Sequence, residues 1–364
     1  MAGSLISVAQ AAPALPSRTP AQLLTGVAQN QGPALTGTVV ETASLGLPSL
    51  PGNNDPTSIT SLLTGSHTIK VWYASPEHYR LAVPGSLSET DVVRDGGTAW
   101  LWQSTANSVA EISVPAHSPA APPPVPSLTP QQAAKQALAA VGPTTTVSVD
   151  SNVMVAGQAA YELVLAPKDA RSLIGQVRIA VDGRNGVPLR LQVFARGAAS
   201  PAISVGYTSV QFAAPASSDI SFTPPPGAKI TKLTAGQDGP GRPGSRPAVS
   251  TIGSGWLTVL KLPSSALTSG TPATGPVSAN QASGESAAAL HALISSATSV
   301  HGAWGSGRLL HTSLFSVLMT DSGSTFVGAV QPSVLYAAAQ AAPAAQGVPA
   351  APVRRPAARP AAAH

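Results

Sequence analysis

Four groups of residues in this chain have types and spacing that could do chemistry. Gly239, Gly241 and Gly244 stand at the G-x-G-x-x-G spacing that lets a backbone wrap a pyrophosphate. No strand pattern leads into them, no helical pattern leads out, and two intervening positions are proline, so they read as a linker. The seven histidines are dispersed. None stands two or four residues from another His or a carboxylate as a metal site would require, so no metal or other cofactor is expected. Asp169-Ala170-Arg171 and Asp182-Gly183-Arg184 read as turn chemistry. There is no P-loop, no G-x-S-x-G elbow and no H-E-x-x-H. The fourth group is Trp100 and Trp102, two of only five tryptophans in 364 residues. In a strand they project from one side of a sheet. They are either ordinary core or the wall of a cavity.

Composition narrows the classes. There is no cysteine, which removes disulfides, thiolate metal sites, a Cys nucleophile and a lipid-anchored N-terminal Cys. The formal charge of +5 is concentrated in two tracts. Lys229, Lys232, Arg242 and Arg246 face only Asp238, and Arg354, Arg355 and Arg359 face no acid. Elsewhere 13 bases oppose 14 acids, with no basic stripe interleaved with aromatics, so nucleic acid is not an expected partner. Ala9-Gln10-Ala11 follows a short apolar run and resembles the end of a signal peptide. An extracytoplasmic location, with cleavage near Ala11, is the expectation.

The elements that must position these residues are legible from period and punctuation. Thr19-Pro20-Ala21-Gln22 and Thr129-Pro130-Gln131-Gln132 each predict a capped helix start. Between and after them the pattern has period two: Ile69, Val71 and Tyr73; Tyr79, Leu81 and Val83; Ala110, Ile112 and Val114; Tyr161, Leu163 and Leu165; Val177, Ile179 and Val181; Leu189, Leu191 and Val193. Asp95-Gly96 predicts a hairpin turn, and the whole predicts an antiparallel meander with one apolar face. The Pro/Gly tract near 236–247 predicts a proteolytically sensitive linker. Beyond it, "GWLTVLKL" predicts a strand, "ESAAALHALISSA" a helix, the segments around Asp321 to Gly323 a hairpin, and Pro332 a helix start. The division is a leader or signal remnant (1–18), a main domain (19–228), a linker (229–249), a small α+β domain (250–342) and an Ala/Pro/Arg tail (343–364).

Several of these stretches resemble a known family. "LLTGVAQNQGPALTGTVVET" is similar to the helix and first strand of the LolA-like superfamily. "HTIKVWYASPEHYRLAV" with "DVVRDGGTAWLWQS" resembles its consecutive strands, and "FTPPPGAKI" its Phe-x-Pro-Pro-x-Gly ending. The region from Ser299 to Ala339 loosely resembles the C-terminal domain of MucB/RseB regulators, although Gln331 intervenes before Pro332. The resemblance implies an α+β fold, an antiparallel β half-barrel with a helical lid, plus the small second domain. It implies a non-enzymatic protein that holds lipid or lipoprotein acyl chains in an apolar cavity. The alternatives are a regulator that binds an anti-sigma factor or other membrane-anchored protein, and a secreted hydrolase. Composition resembles that of an actinobacterium. On this basis Val71, Tyr73, Leu81, Val83, Trp100 and Trp102 are expected to share one face and line the cavity.

Overall fold

The computed structural model describes residues 14–30, 32–46, 64–114, 129–139, 141–234, 249–264 and 295–341. Both Thr-Pro-x-Gln stretches open helices. At α1 (Pro20–Gln29) the Thr19 hydroxyl accepts from the Gln22 amide at 3.2 Å, and the Gln22 side chain accepts from the Thr19 amide at 2.9 Å. The same reciprocal pair, Thr129 with Gln132, starts α2 (Pro130–Ala139). Each bond satisfies an amide that the first helical turn leaves without a partner.

Between the helices run β1 (Leu35–Ser44), β2 (Thr64–Ser75), β3 (His78–Pro84), β4 (Glu89–Asp95), β5 (Thr98–Gln103) and β6 (Ser108–Ser113). After α2 come β7 (Thr145–Val149), β8 (Val153–Val155), β9 (Gln158–Pro167), β10 (Ile174–Asp182), β11 (Pro188–Ala195) and β12 (Ile203–Gln211). β12 pairs with β1 and joins the two runs into one 13-stranded sheet, with β13 (Lys229–Thr234) at its edge beside β6. The expected antiparallel sheet is therefore a mixed one, because β13 lies parallel to β6. After β12 the chain passes through α3 (Ser217–Ile220) and Phe222 to Ala228 to the far edge, and such a crossover delivers a parallel strand where a hairpin cannot. β13 also occupies residues expected to belong to the linker.

The second sheet is antiparallel throughout. Its strands are β14 (Ser250–Ile252), β15 (Val259–Pro263), β16 (Thr298–Gly302), β17 (Gly305–His311), β18 (Ser316–Thr320) and β19 (Ser324–Gly328). They lie in the order β14-β15-β19-β18-β17-β16. The helix expected at Pro332 is α4 (Pro332–Ala341), whose Leu335 and Ala338 pack on Leu318, Phe326 and Val330. The helix expected in "ESAAALHALISSA" falls almost wholly outside the described residues, as do the candidate cleavage site, most of the linker and the tail.

Cross-strand pairs share a face of the sheet. Leu163, Ile179, Leu191 and Val205 pair in succession across β9 to β12, and Tyr207, Val39 and Ile69 continue that face into β2. On this front face Leu23 and Val27 of α1 and Ala133 and Ala134 of α2 bury Leu163, Leu165, Val177 and Ile179. Gly37 of β1 lets the Tyr207 ring cross the strand. A Cβ there would stand 2.7 Å from the Ser209 carbonyl oxygen and 2.9 Å from Tyr207 ring carbons. Gly37→Ala is expected to lower stability by about 1–3 kcal/mol, measured by urea unfolding, because both obstacles belong to the sheet.

Candidate binding site

Register decides which of the six expected wall residues meet. Val71 pairs with Leu81, Leu81 with Val92, Val92 with Leu101, and Leu101 with Ala110. This row crosses five strands on the front face. Val83, next but one to Leu81, belongs to it, and Tyr73 packs against the same cluster. Val71, Leu81, Val83, Val92 and Leu101 are all buried. Four of the six residues therefore stand together.

Trp100 and Trp102 do not join them, which corrects the expectation of a single wall. The β4–β5 turn is Gly96-Gly97, one residue later than expected, with Asp95 paired to Thr98. The β3–β4 pairing ends at Pro84 with Glu89. Both connections hold an even number of residues, so Leu81 leads to Val92 and Val92 to Leu101. Trp100 and Trp102 flank Leu101 and are turned to the back face. The irregularity in β2 between Tyr73 and Ser75 sets the other half of the register: it brings Val71 opposite Leu81.

The back face has its own order. One row runs Gln211, Thr36, Trp72, Arg80, Val93, Trp100, Glu111 and Lys232. The next runs Ser209, Thr38, Lys70, Ala82, Asp91, Trp102 and Val109. Phe222 packs on Trp100, ring centroids 6.0 Å apart, and α3 just before it stands against β2, β3 and β4. Trp100 thus holds down the segment that carries the chain to β13. Arg80 stacks on Trp72 at 5.4 Å and donates to Asp91 at 2.5 Å. Asp91 is fully buried, and its loss of water pushes the carboxyl up to about 6 against the pull of Arg80. The other Asp91 oxygen and the Trp102 indole nitrogen are buried without a partner. Farther along, buried Glu162 accepts from Arg178 at 2.8 Å and Arg190 at 3.0 Å.

Sequence reasoning missed Val92, Leu101 and Trp72. Leu101 was visible between the two tryptophans, but only the loop lengths say which parity faces the core. On the front face burial raises the pKa of Tyr73, Tyr79 and Tyr207, and the buried Tyr79 hydroxyl has no partner. Among the described residues no three His, Asp or Glu side chains stand together as a metal site, and no helix is long and apolar enough to cross a membrane.

The chain matches no protein-family model and no curated protein. It is similar to solved structures at low identity. The Pseudomonas aeruginosa MucA/MucB complex matches with 15% identity and a TM-score of 0.43, over 88% of this chain and 96% of that one. An uncharacterized conserved protein from Thermus thermophilus matches with 11% identity and a TM-score of 0.33, over 58% of this chain and 98% of that one. A LolA superfamily protein from Nitrosomonas europaea matches with 12% identity and a TM-score of 0.22, over 57% and 99%.

Proposed function

We propose that this is a non-enzymatic, extracytoplasmic lipid-binding protein that holds an acyl chain against the front face of the large sheet. The observation that carries the reading is the row Val71, Leu81, Val92, Leu101 and Ala110, apolar at every position. At roughly 4.8 Å per strand it extends for about 19 Å, the length of an extended hydrocarbon chain. The row is buried in one core with Val155, Leu189 and Tyr207, which an entering chain would displace. α1 and α2 stand chiefly over β7, β11 and β12, to one side of it. Beside the strip, the unpartnered Tyr79 hydroxyl offers a polar contact for the head of such a ligand.

Protein purified under native conditions is expected to carry acyl lipid, detected by native mass spectrometry. Val92→Ala and Leu81→Ala should reduce retention of a fluorescent fatty acid about tenfold, a factor equal to about 1.4 kcal/mol. Trp100→Ala and Trp102→Ala, on the other face, should leave retention unchanged. Lipid-free protein, or loss of retention only in the tryptophan variants, would overturn the reading.

One observation favours a second reading, a regulator that binds a membrane-anchored protein. Among the described residues β16 pairs only with β17 and is largely exposed, which leaves an edge to which a partner strand could add. Binding that Val300→Pro abolishes would favour this reading over the first.

A further inference from the structure

The back face holds a feature that the acyl reading does not use: a groove of about 270 Å³ where β12, β1 and β2 meet. Its lining includes Thr36, Thr38, Lys70, Trp72, Ser209 and Gln211. The groove lies at a bulge. Thr38 pairs with Ser209 but Val39 pairs with Tyr207, so Thr208 is extra, and its hydroxyl donates to the Thr38 carbonyl at 3.2 Å. A bulge bends its strand locally and re-aims the neighbouring side chains.

The lining has a definite chemistry. Thr36, Thr38 and Ser209 bring hydroxyls and Gln211 an amide, groups that both donate and accept. Trp72 brings an indole, whose electron-rich face attracts the polarised C–H bonds of a ring laid upon it. Lys70 brings an exposed ammonium. Elsewhere on this face Arg80 is paired with Asp91, Arg178 and Arg190 with Glu162, and Lys232 with Glu111. Lys70 has no ion-pair partner among the described residues. An aromatic platform, several hydroxyl and amide groups and one uncompensated cation match a sugar ring that carries an anionic group.

We propose that this groove binds an acidic saccharide, its ring against Trp72, its hydroxyls on Thr36, Ser209 and Gln211, and its carboxylate on Lys70. The site lies on the opposite face from the acyl strip, so it stands or falls independently of that reading.

The test uses the full chain and a glucuronate-containing tetrasaccharide, followed by calorimetry and tryptophan fluorescence. Neutral glucose tetrasaccharide is the control. Saturable binding of the acidic sugar is expected, at least tenfold tighter than the neutral one and weakened by salt. Lys70→Ala should erase that tenfold preference without changing the melting temperature, since Lys70 is exposed. Trp72→Phe should abolish most of the fluorescence change and weaken both sugars. Vesicles of phosphatidylcholine with and without a glucuronosyl lipid separate a membrane source from a free polysaccharide. Binding to the lipid-bearing vesicles places the sugar on a lipid, and binding of the free tetrasaccharide alone places it in a polysaccharide. Equal affinity for the two tetrasaccharides, no saturable binding of either, or an unchanged preference in Lys70→Ala would overturn the proposal.

Discussion

Trp256→Ala is expected to cost about 3–5 kcal/mol and to turn one cooperative unfolding transition into two. Trp256 is placed by the short helical turn Gly255–Leu257, opened by Gly255 at φ +57°. From there the indole leaves its own sheet and enters the core formed by Leu163, Leu165, Ala133 and Val177. Its nitrogen donates to the Thr145 hydroxyl at 2.7 Å. Around it, the Leu173 amide donates to the Ala329 carbonyl at 2.9 Å and the Gln331 amide to the Arg171 carbonyl at 2.8 Å. Leu314 packs with Leu45 and Ala202 as a second apolar contact between the sheets. Truncation leaves a cavity in the first core and removes the main anchor of the second sheet. Denaturant unfolding followed by circular dichroism reads both effects, and a single unshifted transition would show that the indole is not the anchor. Trp256→Phe should retain the single transition and lose about 1 kcal/mol with the hydrogen bond.

Arg80→Leu is the second large effect, about 3–5 kcal/mol near neutral pH, because it strands a buried carboxylate. The Asp91 side chain is only 1% exposed, and Arg80 is its closest cation. The sign follows from linkage. Asp91 has a folded pKa of about 6, above its unfolded value of 3.8. Its contribution to stability is therefore greatest below pH of about 4 and declines as pH rises towards 6, with no further change above. Without Arg80 the folded pKa rises, so the decline should continue above pH 6 at about 1.4 kcal/mol per unit. Unfolding curves at several pH values check the slope. Adding Asp91→Asn should flatten it, and a pH-independent loss in Arg80→Leu would show that Asp91 is not responsible.

The parts of the fold written in short-range chemistry were legible in the sequence. Thr19 with Gln22 and Thr129 with Gln132 form the predicted caps, and Pro332 opens a helix. Alternation groups Val71, Tyr73, Leu81 and Val83, which the register brings to one face. It could not say which face Trp100 and Trp102 take, because that depends on residue counts in two connections and an irregularity in β2. The parallel placement of β13 and the entry of Trp256 into a distant core were equally hidden. Both are long-range choices made by packing, and no local periodicity encodes them. The groove was invisible for the same reason: Thr36, Lys70 and Ser209 lie far apart in sequence and meet only because β1 pairs with both β2 and β12.

The pairing of β1 with β12 also sets a timetable for synthesis. Thr36 cannot meet Gln211 until that residue has left the ribosome. At cellular elongation rates the interval is roughly 10–35 s. Throughout it the β1–β6 meander can assemble, but its β1 side presents bare amide and carbonyl groups in the middle of what will become the sheet. An unpaired strand of this kind invites pairing with another chain. During that interval β1 is the open edge of the meander, so the pairing hazard lies in the seconds before β12 arrives rather than in the finished fold.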